Sequence, residues 1–307
     1  MDTYSHKKGS RRTSKGIIFV GILILVAMLL AACGNTTTTG GGSIPTVNPA
    51  TPTIAAPNDL ITSGTLTVGS DTTYAPFEYI DTATGKAIGF DVDVITAIAQ
   101  RMGLQAKIVT DKFDTIFDDL AARRFDVVIS AVSVTSERQK KFDFVPYLNV
   151  GESLLVQAGN PLNLKSTADL CGKNVGVQDG TTEQIELKTA SAACVKAGKP
   201  AINVTTLQDQ TAVIQLLVNH RVVVTYQDSP LTDYYNKLNP GQFTIGGSVV
   251  NAGPEGIVVR KGDTSMSNAI QTAFNQLKAS GAYHSIILKW GFTSEEISLI
   301  DRRTITA

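Results

Sequence analysis

The 307-residue sequence predicts an α/β protein with parallel sheets and helices on both faces of each sheet. Three observations lead to this prediction. From residue 59 onward, short β-branched runs alternate with segments of 3.6-residue periodicity. Hydrophobic residues make up 43% of the chain and charged residues only 18%, a composition that suits a packed core. The length allows two domains of ordinary size, each with its own core.

The apolar patterns predict the elements in chain order. Strands are expected at 65–69, 106–109, 126–130, 174–177, 202–207, 222–226 and 257–259, and helices at 91–102, 114–123, from about 182, 209–219, 264–280 and 282–289. The strand segments are rich in Val and Ile, and the helical segments place apolar side chains three and four residues apart. For the helix at 91–102, Asp91 is the expected N-cap and Gly103 the expected residue after its C-terminus.

Four of the predicted strands run into polar turns. Residues 68–73 and 175–182 pass from a strand into a Gly- and Thr-rich turn, and the strands at 127–130 and 222–225 end in polar residues. Ligands of open α/β sheets bind beyond the carboxyl ends of the strands. Two facing sheets would therefore place four polar turns around one cleft. Ordinary repetition within an α/β fold would give the same pattern without a cleft, and both interpretations stay open.

The N-terminal segment predicts an exported, tethered protein. Residues 1–16 are basic, and the uncharged apolar run at 17–32 is too short for the ~30 Å hydrocarbon core of a bilayer. The sequence Leu-Ala-Ala-Cys that ends at Cys33 resembles the lipobox of bacterial lipoproteins. We therefore expect a signal peptide at 1–32 and a lipidated Cys33; an uncleaved, short membrane anchor is the alternative. Residues 33–57, rich in Thr, Gly and Pro and uncharged, are the expected flexible tether.

The two remaining cysteines, Cys171 and Cys194, form an even pair in a chain predicted to be exported. A disulfide between them would close a loop of about 24 residues and stabilise the fold by roughly 3 kcal/mol. Two buried free thiols are the alternative. A zinc site is disfavoured because neither cysteine has a histidine nearby.

Several classes of function are disfavoured by what the sequence lacks. Outside residues 1–16 the chain carries 22 basic and 26 acidic side chains, so a nucleic-acid surface is not expected. The sequence contains no nucleophile elbow, phosphate-binding loop, dinucleotide fingerprint or zinc-protease motif. His220 and His284 stand isolated. No catalytic residue, metal or cofactor is therefore expected.

Several motifs resemble a known family. In order, they are 69–78 (GSDTTYAPFE), 89–94 (GFDVDV), 125–138 (FDVVISAVSVTSER), 176–182 (GVQDGTT), 226–230 (YQDSP) and 256–263 (GIVVRKGD). From about residue 64 to 292 the chain resembles the family 3 extracellular solute-binding proteins of polar amino-acid ABC importers. The resemblance implies a periplasmic-binding-protein-like fold, in which two lobes joined by two crossing strands close over a free amino acid. Lobe one is expected at 58–151 plus 251–307 and lobe two at 152–250.

The resemblance also implies which residues hold the two charged ends of the ligand. Arg138, in the first turn of a helix that Thr135 is expected to cap, would bind the α-carboxylate in a bidentate pair. Further contacts to the carboxylate are implied for Ser130, Ala131, Ser133 and Thr182, with only a backbone contact expected at Ala131. Asp228 would pair with the α-ammonium group, since a buried charge must be paired. A solvated surface arginine and a simple helix N-cap at Asp228 are the alternatives.

The remaining implied contacts concern the ligand's side chain. Tyr74 and Phe113 match aromatic positions that enclose its carbon chain, although core packing would also explain them. Selectivity is expected from Asp71, Gln178 and Glu183, with a further contribution from Gln227. The carboxyl groups of Asp71 and Glu183 favour a ligand side chain that ends in a cation, and the amides of Gln178 and Gln227 favour one that ends in an amide. A polar or basic amino acid is therefore the expected ligand.

The resemblance predicts a monomeric binding protein on the outer face of the cytoplasmic membrane. It would capture its amino acid and deliver it to the permease subunits of an ABC importer, with a lipid anchor holding it to the membrane. A secreted dehydratase-like enzyme on the same scaffold is the alternative, and it would need an additional carboxyl group in the cleft as general acid. A sensor module is a third hypothesis. It is less favoured because the sequence continues only about 15 residues past 292, without an apolar span.

Overall fold

A computed structural model of the chain describes residues 54–292. The predicted signal peptide, the lipidation site Cys33 and the tether up to residue 53 lie outside the described residues, as do residues 293–307 of predicted lobe one. Within the described part of the chain, no helix is both long enough and apolar enough to cross a bilayer.

Every strand and helix that the periodicity predicts occurs, in the predicted order, and further elements lie between them. The strands are β1 (Thr65–Ser70), β2 (Thr73–Tyr74), β3 (Glu78–Ile80), β4 (Ala87–Ile88), β5 (Gln105–Thr110), β6 (Val127–Val128), β7 (Phe142–Gln157), β8 (Asn174–Gln178), β9 (Asn203–Leu207), β10 (Val224–Asp228) and β11 (Phe243–Arg260). The helices are α1 (Phe90–Arg101), α2 (Ile116–Ala121), α3 (Ser136–Lys141), α4 (Thr182–Lys196), α5 (Gln210–Val218), α6 (Ser229–Leu238), α7 (Thr264–Ala279) and α8 (Ala282–Trp290). A 3₁₀ turn spans Thr167–Leu170.

The large sheet has eight strands in the order β5-β1-β6-β11-β7-β10-β8-β9. At one end β5, β1 and β6 are parallel, and at the other end β10, β8 and β9 are parallel. The long strands β7 and β11 pair antiparallel in the middle, so the sheet is mixed rather than purely parallel. Two parallel halves connected by two long strands are the predicted two-lobe fold. The exact lobe boundaries stay a prediction.

The two long strands β7 and β11, which cross between the lobes, are the main elements that periodicity did not predict. Only 257–259 was expected as a strand, whereas β11 extends over Phe243–Arg260. Its middle is exposed and its register with β7 shifts between Gly246 and Val250 and again before Gly253. An exposed, irregular strand carries no alternating apolar pattern, and the sequence signal is therefore absent there.

Helix α1 shows one correct and one wrong prediction. Gly103 follows the helix with a φ of 69°, as expected of a C-terminal glycine. Asp91 is not the N-cap: the helix begins at Phe90 after Gly89, whose φ is 143°. The Asp91 carboxylate instead accepts hydrogen bonds from Ala131 N (2.9 Å) and the hydroxyl of Tyr147 (2.8 Å), and is therefore unavailable to the helix end.

The core lies around the sheet in separate apolar clusters. The largest contains β1, α1, α7 and the middle of β7, and a second contains β8, β10 and part of α4. The second cluster includes the predicted disulfide, since Cys171 and Cys194 are bonded to each other. The bridge connects the segment after the 3₁₀ turn to α4, and thereby holds that segment against the second cluster.

Candidate functional site

The polar ends of four strands surround one cavity. Residues following β1 and β6 line it from one half of the sheet, and residues following β8 and at the end of β10 line it from the other half. The cavity is narrow: only about 10 Å³ of it is accessible to the centre of a water-sized sphere. The lining residues are Asp71, Tyr74, Phe113, Ser130, Ala131, Ser133, Arg138, Gln178, Thr181, Thr182, Glu183 and Asp228.

All eleven residues predicted to bind the ligand line this cavity. Gln227, the further residue expected to influence selectivity, does not. Its side-chain amide donates to the hydroxyl of Thr232 (2.5 Å) and lies on the other face of β10 from the Asp228 side chain. Neighbouring residues of a strand point to opposite faces, so Gln227 and Asp228 do not reach the same cavity. The structure therefore does not place Gln227 at this cavity, where the prediction needs it.

Arg138 is the basic residue that lines the cavity. Thr135 caps α3 as predicted and accepts a hydrogen bond from Arg138 N (3.2 Å). The guanidinium donates to Ser133 O (2.9 Å) and Gly180 O (3.2 Å) and lies over the ring of Phe113, 5.5 Å from its centroid. Within residues 54–292 it forms no salt bridge with a carboxylate.

Burial lowers the pKa of Arg138, while the negative charges of Glu183 and Asp228 act in the opposite direction. A guanidinium does not lose its proton in proteins, so the residue remains a buried cation. A planar fork of donors without a carboxylate partner suits an incoming carboxylate group.

Two hydroxyl groups lie beside the guanidinium. The hydroxyl oxygens of Ser133 and Thr182 are 3.3 Å apart. Thr182 is the first residue of α4, where free backbone N–H groups and the positive end of the helix dipole favour an anion. Arg138, the Ser133 hydroxyl and the backbone N–H groups at the start of α4 together therefore offer charge and hydrogen-bond donors to one carboxylate.

Asp228 and Tyr74 form a second polar group in the cavity. The hydroxyl of Tyr74 donates to Asp228 Oδ2 (2.9 Å). Asp228 occupies the N-cap position of α6 and a proline follows just inside the helix, yet its side chain makes no capping hydrogen bond. Burial, together with the charge of Glu183, raises the pKa of Asp228 well above its usual range. A cation beside it would favour the ionised form.

Asp71 is held by the turn after β1 and by the opposite half of the sheet. It accepts hydrogen bonds from the backbone N–H of Thr73 (3.2 Å) and the hydroxyl of Thr73 (2.9 Å), and from the side-chain amide of Gln178. Burial raises the pKa of Asp71 to about 6, although these hydrogen bonds act in the opposite direction. The carboxyl group is therefore fixed in place and costly to ionise without a cation.

Glu183 is a third acid in the cavity. Its Oε2 accepts a hydrogen bond from the hydroxyl of Thr182 (3.1 Å), and its buried Oε1 has no partner among the described residues. Burial, followed by the charge of Glu152, raises the pKa of Glu183 to about 7. A buried carboxyl oxygen without a donor is costly, and a donor on a ligand would remove that cost.

The aromatic residues form the apolar walls. Tyr74 packs against Phe77 (ring centroids 5.9 Å apart) and Phe113 packs edge-on against Phe117 (5.8 Å). Both Tyr74 and Phe113 are also part of apolar clusters. Core packing and a wall for a ligand's carbon chain are therefore compatible at these two positions.

The cavity includes one residue that the sequence prediction omitted. Thr181 caps α4 by accepting from Gln184 N (3.2 Å), and its hydroxyl donates to Gln178 O (2.9 Å). Its place before the apolar pattern of α4 is the N-cap signal that could have identified it. With both hydrogen-bonding functions used locally, Thr181 shapes the turn. Among residues 54–292, no cluster of acidic, His or Cys side chains is suited to a metal ion.

The sequence model of the bacterial extracellular solute-binding proteins of family 3 matches residues 66–294. The chain belongs to this family. It is 31% identical over 229 residues to the L-cystine-binding protein TcyJ of Escherichia coli, covering 74% of this chain and 82% of the relative. It is 29% identical over 230 residues to the histidine-binding periplasmic protein of Salmonella typhimurium, covering 73% and 86%.

A solved structure supports the same assignment. An ancestral arginine-binding protein bound to arginine superimposes with a TM-score of 0.69 at 35% sequence identity, covering 75% of this chain and 99% of that one. These relatives are named as binding proteins, and this family 3 chain is a binding protein rather than an enzyme. Proteins of this family act outside the cytoplasm. The named relatives bind different amino acids: cystine, histidine and arginine.

Proposed function

We propose that this family 3 protein captures a free polar or basic amino acid and delivers it to the permease subunits of an ABC importer. The observation that carries the proposal is the shared cavity of Arg138 and Asp228, a buried guanidinium and a buried carboxyl group that form no salt bridge with each other. A zwitterion offers a carboxylate to the first and an ammonium group to the second. Pairing both ends removes the cost of leaving charges buried and unpaired.

Hydrogen bonds across the cavity support closure over the ligand. With lobe one at 58–151 plus 251–307 and lobe two at 152–250, four of the side-chain bonds that cross between the lobes lie at the cavity: Tyr74 to Asp228, Arg138 to Gly180, Gln178 to Asp71 and Ser133 to Thr182. Each of them involves at least one residue that would touch the ligand. The ligand would add its own contacts to both lobes and thereby further stabilise the closed arrangement.

The charges of the cavity favour a ligand with a cationic side chain. Asp71, Glu183 and Asp228 are three carboxyl groups against the one guanidinium of Arg138. Once a zwitterion has paired with Arg138 and Asp228, Asp71 and Glu183 remain without a cation. A guanidinium or ammonium group on the ligand would supply one. Gln178 could instead serve a neutral polar side chain, so the proposed class includes both.

Calorimetric titration of the protein with the twenty free amino acids tests the proposed function. We expect heat of binding from a basic or polar amino acid. In a thermal melt, the free energy of unfolding should rise by about 4 kcal/mol when the ligand concentration exceeds its dissociation constant a thousandfold. Aspartate and glutamate serve as matched anionic controls and should give no heat, because the carboxylate of their side chain would face the carboxyl groups of Asp71 and Glu183. Binding of none of the twenty, or preference for an acidic amino acid, would contradict the proposal.

The affinity for L-arginine should depend on pH. Burial raises the pKa of Asp71 to about 6 and that of Glu183 to about 7, and a cationic ligand favours the ionised form of each. Below these values the ligand must displace protons, so binding weakens as pH falls. We expect arginine affinity to fall about tenfold or more from pH 7.5 to 5.5, as measured by calorimetry. Glutamine, which lacks the cationic tip, is the control and should lose less; equal losses would show that these two acids do not meet the ligand's side chain.

We also propose that the protein is a lipoprotein on the outer face of the cytoplasmic membrane and acts as a monomer. The support is the apolar run at 17–32 followed directly by Cys33. Mass spectrometry of protein extracted from membranes should show an N-terminal peptide that begins at Cys33 and carries acyl chains. An N-terminus that retains residues 1–32 would instead identify the uncleaved anchor.

A further inference from the structure

Two carboxyl groups outside the cavity, those of Glu78 and Asp91, support the residues that line it. Both side chains are fully buried, and neither lines the cavity. Glu78 is the first residue of β3 and Asp91 lies in the first turn of α1. The mechanism proposed above uses neither of them.

Glu78 is connected to the cavity through Ser130. The hydroxyl of Ser130 donates to Glu78 Oε1 (2.7 Å) and accepts from the backbone N–H of Asp71 (3.0 Å). Because a hydroxyl has one proton, this arrangement uses its single donor on Glu78. Ser130 and the Asp71 backbone are therefore held together through Glu78.

Asp91 is connected to the cavity through Ala131. Asp91 Oδ2 accepts from Ala131 N (2.9 Å) and from the hydroxyl of Tyr147 (2.8 Å). Ala131 has a φ of 45°, a left-handed conformation that costs a residue with a Cβ atom. The hydrogen bond from its N–H to Asp91 helps to hold this unfavourable conformation beside the ligand site.

The two carboxyl groups belong to neighbouring segments: the backbone N–H of Asp91 donates to Phe77 O (2.9 Å), directly before Glu78, and the charge of Asp91 raises the pKa of Glu78. Two ionised carboxylates have no donor between them, and Glu78 Oε2 and Asp91 Oδ1 are both buried without a hydrogen-bond partner among the described residues. One proton between these two oxygens satisfies both. Since Asp91 Oδ2 already accepts two hydrogen bonds, which favour the ionised form, the proton belongs on Glu78.

The surroundings agree with this assignment. Burial and the negative charges of Asp91 and Asp71 raise the pKa of Glu78 well above its usual range, and the Ser130 hydroxyl only partly opposes them. A further acid, Glu255, lies 3.5 Å from the Tyr147 hydroxyl. A neutral Glu78 keeps one negative charge out of this acidic region.

We infer that Glu78 is a positioning residue that remains protonated at neutral pH, donates to Asp91 and thereby fixes Ser130 and Ala131 at the ligand site. The inference rests on the proposed function, since it assigns Glu78 a part in amino-acid binding. Through Asp91, the proton on Glu78 supports the backbone conformation of Ala131. Through Ser130, the same side chain supports the turn of Asp71.

Two substitutions of Glu78 in the full-length chain test the role of the proton. In Glu78→Gln, the side-chain amide can donate to Asp91 Oδ1 while its oxygen accepts from Ser130, so L-arginine affinity should stay within about twofold of the wild type. Glu78→Met has similar length but no donor or acceptor, and affinity should fall at least about tenfold. A tenfold loss in Glu78→Gln with an unchanged circular dichroism spectrum would overturn the inference, because it would show that the carboxylate is required.

Infrared spectroscopy of the ligand-free protein at pH 7 tests the proton directly and keeps the inference testable if Glu78→Met fails to fold. The wild type minus Glu78→Gln difference spectrum should contain the carbonyl stretch of a neutral carboxylic acid. A difference spectrum with only carboxylate bands would overturn the inference. Because this measurement uses no ligand, it is independent of the proposed function, which fails instead if the wild type binds no amino acid.

Discussion

Replacing Arg138 with alanine is expected to weaken amino-acid binding at least about a hundredfold, because the substitution leaves the ligand's carboxylate buried without its cation. The melting temperature of the ligand-free protein should remain nearly unchanged. The guanidinium is a buried cation without a carboxylate partner among residues 54–292, so its loss removes a desolvation cost along with two hydrogen bonds to carbonyl groups. Calorimetry gives the affinity, and a thermal melt without ligand gives the stability.

Arg124→Ala is the matched control. This arginine is 64% exposed and pairs with Asp119 at the surface, away from the cavity. Its removal should leave the affinity unchanged. If Arg138→Ala lowered the melting temperature by many degrees, or if both variants bound equally well, Arg138 would be a structural residue rather than the carboxylate contact.

Asp228→Asn is expected to cost at least about tenfold in affinity, because an amide cannot neutralise the ligand's ammonium group. The ligand-free protein should be as stable as the wild type or more stable. Burial raises the pKa of Asp228 well above its usual range, so in the ligand-free protein ionisation of this residue is unfavourable. Calorimetry and a thermal melt on the same preparation separate the two effects.

Asp233→Asn provides the control for this variant. Asp233 lies on the same helix α6 and is half-buried, but it does not line the cavity. The Asp233→Asn variant should bind the ligand with wild-type affinity. Unchanged affinity in Asp228→Asn would remove Asp228 from the site, and with it the proposed pairing of both ends of the zwitterion.

Sequence patterns were informative where local chemistry decides the structure. The turns after β1 and β8 and the Thr135 cap of α3 depend on a few neighbouring residues, and each occurs where the pattern predicts it. The grouping of Arg138 with Asp228 around one cavity did not follow from periodicity. It followed from motif resemblance, because residues 90 positions apart meet only through the whole topology.

The differences between prediction and structure share a physical cause. Asp91 matches an N-cap in its local sequence. In the fold, its carboxylate instead accepts a hydrogen bond from the buried hydroxyl of Tyr147, 56 residues later. Gln227 neighbours Asp228 in the sequence, but strand geometry turns it to the opposite face. Long-range partners and side-chain direction are properties of the folded chain, and a short sequence window does not contain them.

A crystal structure with L-arginine, or with the amino acid that gives the largest heat of binding, tests the central claim most directly. The account predicts a ligand in this cavity with its carboxylate hydrogen-bonded to the Arg138 guanidinium and its ammonium group beside the Asp228 carboxylate. A ligand bound elsewhere, or bound here with its ends reversed or in contact with neither residue, would contradict it.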